Sequence, residues 1–128
     1  MKAIICNKAY PDLGCVTIPL PIPDEEYAHC VELLEQMQIG GVTASDCYID
    51  QLNGAPPYLD VLEKQEVNID ELDFLVRSLD RYIAEELAQF QSVAASRYIR
   101  DLPMLIDLSF CCERATVIVC RGKIATPP

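Results

Sequence analysis

The chain has 128 residues, the size of one ordinary domain or two very small ones. Half of them are apolar (51%) and 23% are charged, a globular balance, and no apolar run reaches the roughly 18 residues that a membrane-spanning helix needs. Twenty acids against ten bases give a formal charge of −10, which argues against direct binding to nucleic acid, since phosphate contacts need a basic footprint.

The first eight residues, Met1 to Lys8, hold too short an apolar stretch for a signal peptide, so a soluble, cytoplasmic protein is expected. Ala3-Ile4-Ile5-Cys6 reads as a short strand. Tyr10-Pro11-Asp12-Leu13-Gly14 is turn chemistry. Cys15-Val16-Thr17-Ile18, with Leu20, is rich in β-branched residues and reads as a second strand that pairs with the first as an antiparallel hairpin. Pro19, Pro21 and Pro23 then stop the pairing, because proline has no N–H to give to the ladder.

Pro23-Asp24-Glu25-Glu26 opens a helix with three carboxylates where the helix dipole favours negative charge. Tyr27, Cys30, Val31, Leu34 and Met37 form its apolar stripe, and Gly40-Gly41 is the expected left-handed stop. A third strand is expected within Val42 to Leu52, with Cys47 and Ile49 on one face. These elements make a ββαβ unit over residues 1–55, bounded by the break at Asn53-Gly54 and Pro56-Pro57.

From residue 56 the apolar spacing becomes helical. Tyr58 to Leu62 reads as a short helix. Asn68 is an N-cap with Glu71 three residues on, as in a capping box, and Val67 and Leu72 flank them as a hydrophobic staple. The helix they open carries Ile69, Leu72, Leu75, Val76 and Leu79 inward. A second helix carries Ile83, Leu87, Phe90 and Ala94. A third starts near Asp101-Leu102-Pro103 and turns Leu102, Leu105, Ile106 and Ser109 inward. Ala115 to Cys120 is β-prone and reads as a short C-terminal strand. The expected fold class is α+β: a three-stranded antiparallel sheet with one helix over 1–55, then a small bundle of three to four helices over 56–128.

The seven cysteines lie outside any secretory context and read as reduced thiols, mostly small buried hydrophobes. No Cys-x-x-Cys occurs, and the adjacent pairs His29-Cys30 and Cys111-Cys112 lack zinc-ligand spacing, so no metal and no cofactor is expected. His29 is the sole imidazole, and its i, i+1 relation to Cys30 points the two side chains apart. No phosphate-binding loop, dinucleotide fingerprint or His-Glu-x-x-His is present. The reading is therefore of a non-enzyme.

Residues 24–86 hold sixteen acids and only three bases, Lys64, Arg77 and Arg81. The rest of the chain has four acids and seven bases. The plain account is a solvated, aggregation-resistant surface whose helix N-termini favour carboxylates. The sharper account is a surface imitating DNA, which carries one charge per roughly 1.7 Å of helix axis.

Val67-Asn68-Ile69-Asp70-Glu71-Leu72-Asp73-Phe74-Leu75 resembles a phrase of the ArdA antirestriction proteins of conjugative plasmids and transposons. The likeness continues through Arg77-Ser78-Leu79-Asp80 and Glu86-Leu87-Ala88-Gln89-Phe90-Gln91. It resumes at Asp101-Leu102, Leu105 to Phe110 and Ala115 to Ile118. It covers roughly the second half of a chain shorter than typical members, and more weakly the strand–helix–strand unit before it. The resemblance implies an acidic, dimeric DNA mimic without cofactor or catalysis. Such a protein occupies the DNA site of type I restriction–modification enzymes and so protects incoming mobile DNA. By the same resemblance, Asp70, Glu71, Asp73, Asp80 and Glu86, with Glu85 beside them, are the implied phosphate imitators. The alternative is a non-catalytic protein-interaction module of a mobile element built on the same scaffold. The two differ in surface: mimicry needs spread carboxylates, a module needs an exposed apolar patch.

Overall fold

The computed structural model describes residues 1–41, 44–56 and 58–112. The strand expected over Ala115 to Cys120 lies outside the described residues. The fold is α+β, as the change of apolar period indicates. In chain order it has β1 (Lys2–Cys6), β2 (Cys15–Pro19), α1 (Tyr27–Gln36), β3 (Cys47–Asn53), β4 (Glu66–Val67), α2 (Ile69–Asp80), α3 (Ala84–Arg97) and α4 (Leu102–Cys112).

The sheet has four strands rather than the expected three, in the order β2-β1-β3-β4, and every pairing is antiparallel. The added strand, β4, is two residues long and pairs Val67 with Cys47 and Glu66 with Tyr48. So short a strand carries no alternation to read, and its partner lies twenty residues upstream. It also ties the start of the helical half to the sheet, because α2 begins two residues beyond it.

The β1–β3 ladder is regular at Ile5↔Ile49 and Cys6↔Tyr48, then shifts so that Ile4 faces Gln51. Asp50 is the extra residue of this bulge. The shift keeps both Ile49 and Leu52 on the buried side although they are three apart, where strict alternation would expose one of them. The strand expected within Val42 to Leu52 is β3, which starts at Cys47 and ends at Asn53.

The helix expected from Pro23 to Gly40 begins as a 3₁₀ turn, Asp24–Glu26, which runs into α1. It ends before the glycines. Gln38 takes the left-handed conformation at φ 59°, and Gln38 N–H and Ile39 N–H return to Glu35 O (3.0 Å) and Leu34 O (2.9 Å). That is a Schellman stop, closed by buried Ile39 against buried Leu34. The buried Asn7 side chain completes the end. Its Nδ2 donates to Met37 O (3.1 Å) and Gln38 O (3.0 Å), and its Oδ1 accepts from Ala9 N–H (3.0 Å). Tyr27, placed in the apolar stripe by spacing, is instead 57% exposed at the first position of α1.

The short helix expected over Tyr58 to Leu62 is a 3₁₀ turn, Leu59–Leu62, entered through Tyr58 at φ 79°. The α2 stripe is as expected: Ile69, Leu72, Leu75, Val76 and Leu79 are all buried. In α3 the buried residues are Phe90 and Ala94, while Ile83 precedes the helix and is exposed. Along α4, Leu102, Leu105, Leu108 and Ser109 are buried. Tyr82 stands edge-on to Phe90 (ring centroids 6.3 Å apart) and its hydroxyl donates to Ser109 O, which joins the α2–α3 connection to α4. The inward residues of the sheet, of α1 and of α2 to α4 form one continuous cluster, so both halves of the chain share a core. Among the described residues, no helix is long and apolar enough to cross a membrane.

Candidate functional site

The sixteen acids of residues 24–86 separate into two groups by what they touch. Five are half-buried: Asp46, Asp50, Glu63, Asp73 and Glu86. Each accepts a hydrogen bond from the protein. Asp46 Oδ2 accepts from Gly40 N–H (3.2 Å), Asp50 Oδ1 pairs with Lys64 Nζ (3.0 Å), and Glu63 Oε2 accepts from Leu52 N–H (2.7 Å). Asp73 Oδ1 accepts from Ile22 N–H (2.9 Å), and Glu86 Oε1 accepts from Ile83 N–H (3.0 Å). The other eleven are exposed: Asp24, Glu25, Glu26, Glu32, Glu35, Asp60, Glu66, Asp70, Glu71, Asp80 and Glu85. The ion pairs formed among the described residues, Lys64–Asp50 and Arg77–Asp73, involve none of the eleven.

Of the six residues assigned by the sequence, four stand free in solvent: Asp70, Glu71, Asp80 and Glu85. Asp73 and Glu86 do not. Asp73 works with Arg77, whose Nη2 reaches Asp73 Oδ2 at 3.2 Å and donates to Ile22 O at 2.9 Å. The pair thus takes both main-chain groups of Ile22 and fixes α2 against the segment after β2. Glu86 is spent on the first turn of α3. Ile83 has no side-chain acceptor, so Glu86 supplies half of a capping box by itself.

Helical spacing puts Asp70, Asp73, Arg77 and Asp80 along one outward row of α2, with Glu71 on the other side of the buried stripe. Ile22 is clamped to that row, and the acidic turn Asp24–Glu26 starts two residues later. Cys30 senses both neighbours: burial pushes its thiol up first, then Glu26 and Asp73 add to it. Glu26, the last of that turn, and Asp73 of the α2 row therefore both lie near Cys30. Sequence spacing gave no sign of this, because the contact joins residues 22 and 73.

The first turns explain part of the acidity without any partner. Asp70 and Glu71 open α2, and Glu85 and Glu86 open α3, where carboxylates are stabilised by the helix dipole. Asn68 caps α2 through Oδ1, which accepts from Asp70 N–H (3.0 Å) and Glu71 N–H (3.1 Å). Its Nδ2 donates to Gly41 O (3.2 Å) and Ala44 O (2.9 Å), and so pins the α1–β3 connection to the start of α2.

A cleft of about 270 Å³ lies between the ends of β1 to β3 and the α2–α3 corner, lined by Met1, Leu20, Gly54, Val76, Asp80, Tyr82 and Leu87 among others. Its polar side chains are Asp80 and Tyr82. His29 is exposed and its neighbour Cys30 buried, so the two do not meet. Among the described residues, no three His, Cys, Asp or Glu side chains converge as metal ligands would. On the helical side, Phe74 and Phe110 are about 40% and 46% exposed and lie against each other, with centroids 5.7 Å apart.

Compared with known protein families, with characterised proteins and with solved structures, the chain gives no match.

Proposed function

We propose that this chain is a non-catalytic, ArdA-like DNA mimic that binds the DNA-recognition groove of a type I restriction–modification enzyme or a similar DNA-handling protein. The observation that carries the reading is the set of eleven exposed carboxylates to which no base is paired among the described residues. A groove built for phosphates attracts such a surface, and steers it in over distance. The sequence phrase around Asn68 to Leu75 supplies the kind of partner. Cytoplasmic placement, a role on mobile DNA and a homodimeric form belong to the same proposal.

The test is competition between the purified protein and duplex DNA for a type I methyltransferase, across a salt series. Displacement of DNA should be strongest at low salt and fade as salt screens the charges. Reversing Asp70, Glu71, Asp80 and Glu85 to lysine shifts the formal charge by two at each site, from −10 to −2, and should abolish competition. The fold should survive although Asp70, Glu71 and Glu85 each give up a helix-dipole contribution of about 0.3–1 kcal/mol, while Asp80, at the end of α2, costs under about 0.5 kcal/mol. Asp73 and Glu86 are left alone because they hold the structure. The exposed Phe74–Phe110 pair favours a second reading, a protein-interaction module on this scaffold. Failure to compete at low salt overturns the mimic and leaves the module, whose binding should be lost in Phe74→Ala.

A further inference from the structure

The outer face of the sheet carries a pair of thiols. Cys6 ends β1 and Cys15 starts β2, and the two are direct cross-strand partners. The kind of pair follows from the far end of the hairpin. Met1 and Leu20 exchange both main-chain bonds, Leu20 N–H to Met1 O at 2.8 Å and the Met1 amine to Leu20 O at 3.0 Å. Opposed pairs alternate along an antiparallel ladder, so Met1, Ala3 and Ile5 sit in hydrogen-bonded pairs, and Lys2, Ile4 and Cys6 do not. Non-hydrogen-bonded partners have Cα atoms about 4.5 Å apart, inside the 4.4–6.8 Å range that a disulfide spans. Cys15 is close enough to help raise the Cys6 thiol. Cys15 is exposed and Cys6 half-buried beneath it. Ala3, Ile5 and Ile18 point the opposite way, into the core, so the pair lies on the outer face, with Cys15 open to solvent and Cys6 partly covered.

We infer that Cys6 and Cys15 are a reversible oxidation site, closed into a cross-strand disulfide by a low-molecular-weight disulfide such as oxidised glutathione. The exposed Cys15 thiolate attacks one sulfur of the oxidant. One glutathione thiolate leaves, and Cys15 carries the other half as a mixed disulfide. Cys6 then gives up its proton to water, attacks Cys15 Sγ and releases the second glutathione thiolate. Two protein thiols are oxidised by two electrons, and one glutathione disulfide is reduced to two thiols. Burial, the neighbouring Cys15 and Asp50 hold the Cys6 thiol up, with Lys8 opposing, which suits Cys6 to the second, intramolecular step. The bridge closes a ring around the turn over residues 7–14. Asn7, inside that ring, holds the Met37 and Gln38 carbonyls that follow α1, so oxidation stiffens the support under the end of that helix.

The experiment treats the full chain with oxidised glutathione, blocks the remaining thiols and cleaves before aspartate. This separates residues 1–11, with Cys6, from residues 12–23, with Cys15. The expected product is one species joining both peptides, two hydrogens lighter than their sum, and parted by dithiothreitol. In Cys6→Ser, Cys15 should keep a stable glutathione adduct. In Cys15→Ser, Cys6 should lose its thiol at least about tenfold more slowly, because no neighbouring mixed disulfide is presented to it. Cys47 is an internal control: burial, chiefly, pushes its thiol up to about 12, and it should stay unmodified. Separate adducts on Cys6 and Cys15 in the native chain, or bridges from either to another cysteine, would overturn the inference.

Discussion

The first turns of α2 and α3 carry the same two charges at the same two positions, yet they are built differently. In α2 an asparagine caps the helix, Asn68 Oδ1 accepting from Asp70 N–H and Glu71 N–H, and both carboxylates stay exposed. In α3 the residue before the helix is Ile83, so one of the two carboxylates, Glu86, must turn back to its main chain. The comparison teaches that acidic residues at a helix start are available to a partner only when another side chain does the capping. By that standard the exposed acids of α2 are the better candidates for binding, and α3 offers only Glu85.

The largest effect is expected at Asn68. Asn68→Ala removes the cap and leaves Gly41 O and Ala44 O without their donor, and should cost about 2–3 kcal/mol, read as a lower urea midpoint. Asn68→Asp keeps the acceptor and loses the Nδ2 donors, so it should fall between wild type and alanine. If aspartate and alanine cost the same, the cap contributes nothing and the contrast with α3 collapses. Next is Asp73→Asn, which weakens the hold on Ile22 and Arg77 and should cost about 1 kcal/mol, while Asp70→Asn should stay within about 0.5 kcal/mol. Binding to a basic partner should rank these two the other way round. The smallest effect sharpens the comparison by construction. Ile83→Asn gives α3 the kind of cap that α2 has, and should raise the thermal midpoint through a gain of about 0.5–1 kcal/mol.

Most of the helical half was legible because its signals are local. Asn68, Val67 and Leu72 announce α2 within six residues, and its inward stripe follows from the 3.6-residue period. The hairpin was legible from two β-branched runs and a turn. What escaped were the long-range decisions. The two residues of β4 become a strand only because Cys47 and Tyr48 are there to pair with them. The stop of α1 at Gln38 was hidden because glutamine is a poor left-handed residue, tolerated here by Asn7 reaching from thirty residues away. Asp73 looked like one more surface acid because Ile22, its partner, lies fifty-one positions upstream. Glu86 is different. An N3 glutamate after a residue with no acceptor was open to the same reasoning that found Asn68, and only the phase of α3 concealed it.

The place of β1 between β2 and β3 has a kinetic consequence. Its pairing with β2 closes a turn of a few residues, whereas its pairing with β3 must bring Ile5 to Ile49 across the whole of α1. Loop-closure entropy makes the first contact cheap and the second slow, and slow non-local pairing sets the folding rate of such sheets. We expect the hairpin to form early and the β1–β3 ladder with its bulge to form at the barrier. Conservative truncations should then separate in stopped-flow kinetics. Ile49→Val should slow folding, while Thr17→Ala on β2 should change stability without singling out the folding limb. Equal effects of both on the folding limb would place the barrier elsewhere.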